Sequence, residues 1–271
     1  MEKLKPAGLK PVFFSLLGAT FITASSAIAA PTTLLVEGAW PALSITACQA
    51  ERCTTLTPPG DMLEAMRDGY DQVSVDDLTL DGTPEIILTH RAEGSVNACT
   101  RVYRYDNALG TLHPLGDSSR QLCNYVIAHG HVISRYRSGA MWHEDIYQIK
   151  NNDLILAYSD SCVGCDTIKR TRYQDDARTD TLLVTNNLDH RLRKPVSTTV
   201  LSKKAVLYRE PRIDQPTRMY LISGDEVVLT DATSDDDTYW YRIRYTTAKG
   251  KPIEGWLRCD DTTLCDDERP Q

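Results

Sequence analysis

The chain has 271 residues, 25% of them charged and 41% hydrophobic, with a formal net charge of −7 and eight cysteines. That acidic balance argues against nucleic acid as a partner, because phosphate backbones recruit lysine and arginine. Past residue 29 no apolar run approaches the length needed to cross a bilayer, so no membrane span is expected.

The chain opens with Lys3, Lys5 and Lys10 ahead of Val12-Phe13-Phe14-Ser15-Leu16-Leu17, and this segment ends on the small residues Ala27-Ile28-Ala29. A basic start, an apolar middle and a small-residue end are the parts of an export signal, so residues 1–29 read as a signal peptide cleaved near Ala29. No cysteine follows the cut, which argues against a lipid anchor. Cleavage removes three lysines and one glutamate, takes the net charge from −7 to −9 and leaves 242 residues. The periplasm is the expected address.

All eight cysteines lie in the mature part, an even count that suits an oxidising compartment. Short loops favour nearest-neighbour pairing: Cys48 with Cys53, Cys99 with Cys123, Cys162 with Cys165, and Cys259 with Cys265. Sequence alone leaves more than a hundred pairings open. Each bridge would stabilise by ~2–3 kcal/mol on the chain-entropy estimate. Cys162-Val163-Gly164-Cys165 also admits half a zinc site or a redox pair. Asp160 and Asp166 place negative charge around these sulfurs and disfavour thiolate, so a structural disulfide is expected.

A short helix is predicted over 61–67, started after Pro58-Pro59-Gly60 with Asp61 as its cap. Next comes Asp77-Leu78-Thr79-Leu80-Asp81-Gly82-Thr83-Pro84-Glu85. Its oxygens fall at loop positions one (Asp77), three (Thr79), five (Asp81), seven (the Thr83 carbonyl) and nine (Glu85), with glycine at the turn. That is calcium-loop chemistry, and alternation would send Leu78 and Leu80 into an apolar layer. The flanks are β-rich, Gln72-Val73-Ser74-Val75 before and Ile86-Ile87-Leu88 after, so the loop resembles the strand-loop-strand sites of FG-GAP repeats rather than an EF-hand. A metal-free acidic turn is the competing reading.

From residue 72 onward β-segments alternate with turn residues, at 85–90, 97–105, 122–127, 131–136, 143–150, 153–159 and 167–174. The fold class expected is all-β: an antiparallel meander, sandwich or propeller-like, over 30–185, then a linker over 186–200, a small SH3-like β-barrel over 201–262 and a tail over 263–271. Asn151-Asn152-Asp153 marks a hairpin, since Asn and Asp tolerate positive φ. The linker assignment rests on Asn186-Asn187-Leu188-Asp189-His190-Arg191-Leu192-Arg193-Lys194-Pro195, which is polar, aperiodic and closed by proline.

No enzyme is expected. Nothing pairs a nucleophile with a base, and the G-x-S-x-G signature is absent. His129 and His131, with His143 and Glu144 a hairpin away, sketch a weak transition-metal site, against the ordinary reading of surface histidines. Ser138-Gly139-Ala140-Met141-Trp142 is sharper. It looks like an insertion loop and resembles the Ser-Gly-x-x-Tyr loop that periplasmic lysozyme inhibitors place in the enzyme's cleft, with Trp142 at the tyrosine position. Indole fills a sugar subsite but lacks the phenol oxygen, so Ser138 and backbone amides would make the polar contacts. The competing reading packs Trp142 in the core.

The C-terminal words Ala205-Val206-Leu207-Tyr208, Gly224-Asp225-Glu226-Val227, Tyr239-Trp240-Tyr241-Arg242-Ile243-Arg244-Tyr245 and Gly255-Trp256-Leu257 resemble the bacterial SH3-like domain of cell-envelope proteins. Period two places Tyr239, Tyr241, Ile243 and Tyr245 on one face and Trp240, Arg242 and Arg244 on the other. The second face could stack on or pair with an acidic peptide, or could be a solvated face whose arginines offset nearby acids.

Together, the calcium-like loop, the 138–142 segment and the Cys162 turn resemble, over residues 70–185, a family of calcium-loop periplasmic inhibitors. These protect bacteria against peptidoglycan-hydrolase toxins. The resemblance implies an inhibitor or immunity role against a lysozyme-like effector, with calcium as a structural brace. The alternative is a cell-envelope or peptidoglycan-binding scaffold acting through the SH3-like domain.

Overall fold

The computed structural model describes residues 32–117, 121–174, 176–235 and 237–265, so the expected signal peptide and most of the C-terminal tail lie outside the described residues. Four antiparallel sheets account for almost all of the secondary structure, and each is built from strands consecutive in sequence. Local pairing of this kind limits the loop-closure cost of a β fold.

The first sheet holds β1 (Thr32–Glu37), β2 (Ser44–Gln49) and β3 (Arg52–Leu56). Helix α1 (Gly60–Arg67) follows. Pro59 stands at its N-cap and Asp61 lies inside the first turn, making no side-chain cap bond. The cap expected at Asp61 therefore falls two residues earlier, since proline's fixed φ already suits the helix entrance. The second sheet is β4 (Gln72–Asp76), β5 (Glu85–His90), β6 (Cys99–Asp106) and β7 (Thr111–Pro114), with β8 (Leu122–Cys123) beside β6.

Strand β5 is apolar on both faces because a layer covers each. Ile86 and Leu88 join Leu34, Ile45, Met62 and Met66 from the first sheet and α1. Ile87 points the other way, to Leu78, Val102, Val132, Tyr147 and Leu154. The period of two thus divides one strand between two cores.

The third sheet runs in sequence order: β9 (Val126–Ala128), β10 (His131–Ser138), β11 (Met141–Lys150), β12 (Asp153–Val163), β13 (Thr167–Tyr173) and β14 (Thr179–Thr185). The β11–β12 turn is Asn151-Asn152, with φ of 53° and 59°, the left-handed pair that a two-residue hairpin demands. The last sheet, in spatial order, is β15 (Ser197–Thr199), β18 (Glu226–Asp235), β19 (Thr238–Thr246), β20 (Pro252–Arg258), β16 (Ala205–Tyr208) and β17 (Pro216–Leu221). Its core of Val200, Leu207, Val227, Leu229, Tyr241, Ile243 and Leu257 also takes in Leu183 from β14.

Residues 186–200 carry a 3-10 turn, His190–Leu192, and strand β15. They also bury His190 and Arg193. All eight cysteines form the four nearest-neighbour disulfides. No helix of the described residues is long and apolar enough to cross a membrane.

Candidate functional site

The 77–85 loop closes on itself. Both Asp77 oxygens accept backbone N–H groups, from Asp81 at 3.1 Å and Gly82 at 2.9 Å. Asp81 accepts from the Thr83 N–H at 2.7 Å and from the Asn152 side-chain amide at 2.6 Å, which ties the loop to the β11–β12 turn. Glu85 is fully buried and faces inward. One of its oxygens accepts from the Leu78 N–H at 2.7 Å, the other from the Thr79 hydroxyl at 2.8 Å. Burial pushes the Glu85 carboxyl above its ordinary pKa, against the Thr79 hydroxyl and the Leu78 and Thr79 N–H groups, which pull it down.

Of the five expected calcium ligands, Thr79 and Glu85 hydrogen-bond each other in the interior, while the Asp77 and Asp81 carboxylates accept from the loop's own N–H groups on its exposed side. Among the described residues no three His, Cys, Asp or Glu side chains gather as a metal-ligand group. Leu78 is buried as expected, but Leu80 is 58% exposed. The alternation expected of it fails because the segment is a turn: Leu80 takes φ of 59°, which throws its side chain outward.

The 138–142 segment is the end of the β10–β11 hairpin rather than an insertion loop. Ser138 pairs with Met141 across Gly139 and Ala140, and Gly139 has φ of 59°, the position a II′-type turn reserves for glycine. Met141 and Trp142 stand 47% and 40% exposed, which overturns the core-packed reading of the indole. The tip is held on both sides. Asn97 clasps the Arg137 backbone, its Oδ1 accepting from the N–H at 2.8 Å and its Nδ2 donating to the carbonyl at 3.0 Å. On the other flank Trp142 pairs with Val163, inside the turn closed by the Cys162–Cys165 bridge. Below the tip, the Tyr136 and His143 rings stack at 5.2 Å. A cross-strand stack of this kind further restrains the hairpin end.

The candidate ligand face on β19 divides. Arg242 is exposed and Arg244 half-buried, both against Glu254, and Arg244 also donates to Asp180 at 2.6 Å. Trp240 is buried, with the Tyr208 ring edge-on at 4.9 Å. It therefore does not share an exposed surface with the arginines: the Tyr208 ring of β16 packs against the indole, while Arg242 on the same face stays exposed. The histidines do not converge either. His143 is committed to Tyr136, and His131 meets His190 edge-on at 5.0 Å.

Glu144 belongs instead to a buried ionic network that sequence reading missed. It accepts from Arg135 Nε at 2.8 Å and pairs with Arg193 at 2.8 Å. Arg193 also pairs with Asp160, and Arg170 forks onto Asp160 at 2.8 and 2.6 Å. Arg170 and Arg193 further donate to the carbonyls of His190 and Asn187. Four strands, β10 to β13, and the 187–193 segment are thereby pinned together. The one sequence signal was a pair of acids, Glu144 and Asp160, at inward positions of apolar strands.

No protein-family model, no curated protein and no solved structure matches this chain.

Proposed function

We propose that this chain is an exported, non-enzymatic inhibitor of a peptidoglycan hydrolase of the lysozyme-like class, with the 138–142 hairpin tip as its contact. The observation that carries the reading is the exposure of Met141 and Trp142 on a tip restrained from both flanks. A large aromatic held rigidly at the surface loses little conformational freedom on binding, the property of an interface anchor.

A glycosidase cleft holds two carboxylates around its scissile bond. The indole of Trp142 would occupy a sugar subsite, while the Ser138 hydroxyl, the backbone N–H groups of the turn and Arg137 would face those acids. Enzymes that work on an acidic wall carry positive charge, and a chain at −7, or −9 after cleavage, is steered toward them. The four disulfides suit the oxidising compartment in which such enzymes act. In this reading the 201–262 module is SH3-like and serves as a spacer or second contact.

Calcium enters the reading as a structural ion of the 77–85 loop, with Asp77, Thr79, Asp81, Thr83 and Glu85 as its ligands. Melting in calcium and in chelator tests that component. A rise in Tm that Asp81→Asn removes supports the ion; an unchanged Tm leaves a loop that stands on its own hydrogen bonds.

The inhibitory reading is tested by following cell-wall lysis by a panel of lysozyme-like glycosidases with the purified chain added. Slowing of at least one enzyme supports it. Undiminished lysis across the panel, with no enzyme retained on the immobilised chain, overturns it.

A further inference from the structure

Strand β12 has a partner along both edges for only part of its length. It pairs with β11 from Asp153 to Val163, but with β13 only over residues 158–161. β13 ends at Tyr173, one residue past the Tyr158–Arg172 pair, so residues 153–157 of β12 have no strand partner on that edge. A bulge sits at the same place, for in the register with β11 Tyr158 opposes Ile146 and Leu156 opposes Tyr147, so Ala157 is an extra residue. Beside this stretch lies a cleft of about 1080 Å³.

The chemistry of the cleft is specific. Ile155, Leu156 and Ala157 line it from β12, and Arg172 and Tyr173 from the end of β13, so it opens onto the unpaired edge of β12. Alternation of strand hydrogen bonding directs the Leu156 N–H and C=O away from β11, toward the cleft. Tyr158 supplies an aromatic wall held flat by Arg170, whose guanidinium lies 4.7 Å from the ring centre. Arg170 is itself locked on Asp160, so the buried ionic network fixes this wall.

Arg104, whose Nη1 donates to the Asn152 carbonyl, Lys150 and Arg172 bring three cations to the rim of a chain whose net charge is −7. The two acids of the lining are engaged elsewhere: Asp153 accepts from the N–H groups of Gly116 and Leu154, and Asp176 pairs with Arg178. Arg172 is exposed and makes no ion pair among the described residues.

We infer that this cleft is a docking site for an extended acidic peptide segment of a partner protein, laid along the unpaired edge of β12 past Tyr158 as an added strand. Main-chain bonds to that edge give the binding, and the cationic rim selects acidic side chains. The site stands at the far end of β11 from Trp142, roughly 27 Å away at the strand's rise per residue, and is independent of the inhibitory tip.

The test titrates the isotope-labelled exported chain with a heptapeptide of alternating glutamate and valine, with its lysine counterpart, with the glutamate peptide N-methylated at alternate residues, and with an acidic oligosaccharide. Amide resonances of Leu156, Ala157 and Tyr173 report binding. The proposal expects saturable shifts with the glutamate peptide alone, and a loss of affinity of about tenfold or more in Arg172→Glu with an unchanged Tm. It is overturned by an absence of shifts up to about 1 mM peptide, by equal binding of the lysine or N-methylated peptides, or by tighter binding of the oligosaccharide at the same resonances.

Discussion

The 77–85 loop and the 138–142 tip are built with opposite orientations. The loop turns its closing acid inward: Glu85 is fully buried and takes its donors from Leu78 and Thr79. The tip turns apolar groups outward, leaving Met141 and Trp142 in water. A buried carboxylate with its donors in place holds a fold together, because removing it strands those donors. An exposed indole on a restrained hairpin adds little to stability and is available to a partner. The acid-rich segment is therefore the brace, and the two-residue turn the contact.

Substitutions should separate the two, and the largest effect belongs to the brace. Glu85→Ala leaves buried donors at Leu78 and Thr79 and is expected to cost about 3–5 kcal/mol in urea unfolding. A cost equal to that of a surface substitution would remove the loop's bracing role. Arg193→Ala should cost a similar ~3–5 kcal/mol, since Glu144 and Asp160 would remain buried with less compensation. In that variant the Tyr158 wall should loosen while the Trp142 tip is unchanged, which fluorescence of the two regions can read.

A pH effect of intermediate size follows from His190. Burial, then the neighbouring positive charge of His131 and Arg170, lowers its pKa from 6.5 to about 4. The folded state keeps this imidazole neutral while the unfolded chain binds a proton. The stability concerned is fully present above pH 6.5 and is lost as pH falls toward 4, on the order of 3 kcal/mol in all. His190→Gln should flatten that part of the profile, and an unchanged slope in urea unfolding between those pH values would refute the assignment.

The smallest expected effect lies in the last sheet. The Trp240 Nε1 is buried and has no partner among the described residues. Trp240→Phe should cost no more than about 1 kcal/mol in urea unfolding. A costly phenylalanine would mean that the indole N–H has a partner after all.

Much of the β framework was legible because it depends on short-range signals. Strand β5 spans 85–90 as predicted, the Asn151-Asn152 turn has its positive φ angles, and the nearest-neighbour cysteines are bonded. The first sheet, over Thr32–Leu56, went unread although Thr32-Thr33-Leu34-Leu35-Val36 is β-rich.

What stayed hidden depends on which layer covers a face. Period two put Trp240 with Arg242 and Arg244, but Tyr208 comes from a distant strand to bury the indole. Leu80 obeyed the turn rather than the strand pattern. His190 and Arg193 sit in a stretch whose composition reads as solvent-exposed, and only the acids of β11 and β12 explain their burial. The cleft beside β12 lies where β13 ends at Tyr173 and β12 runs on to Asp153, a mismatch of strand lengths that no local pattern announces.

The central claim, that the tip is the contact and the loop the brace, is tested most directly by titrating an inhibited lysozyme-like hydrolase with the chain and with Trp142→Ala while both are melted side by side. The expected result is a loss of inhibition of some thirtyfold or more, about 2 kcal/mol, with Tm unchanged. Undiminished inhibition by Trp142→Ala, or a loss matched by a fall in Tm, would contradict it.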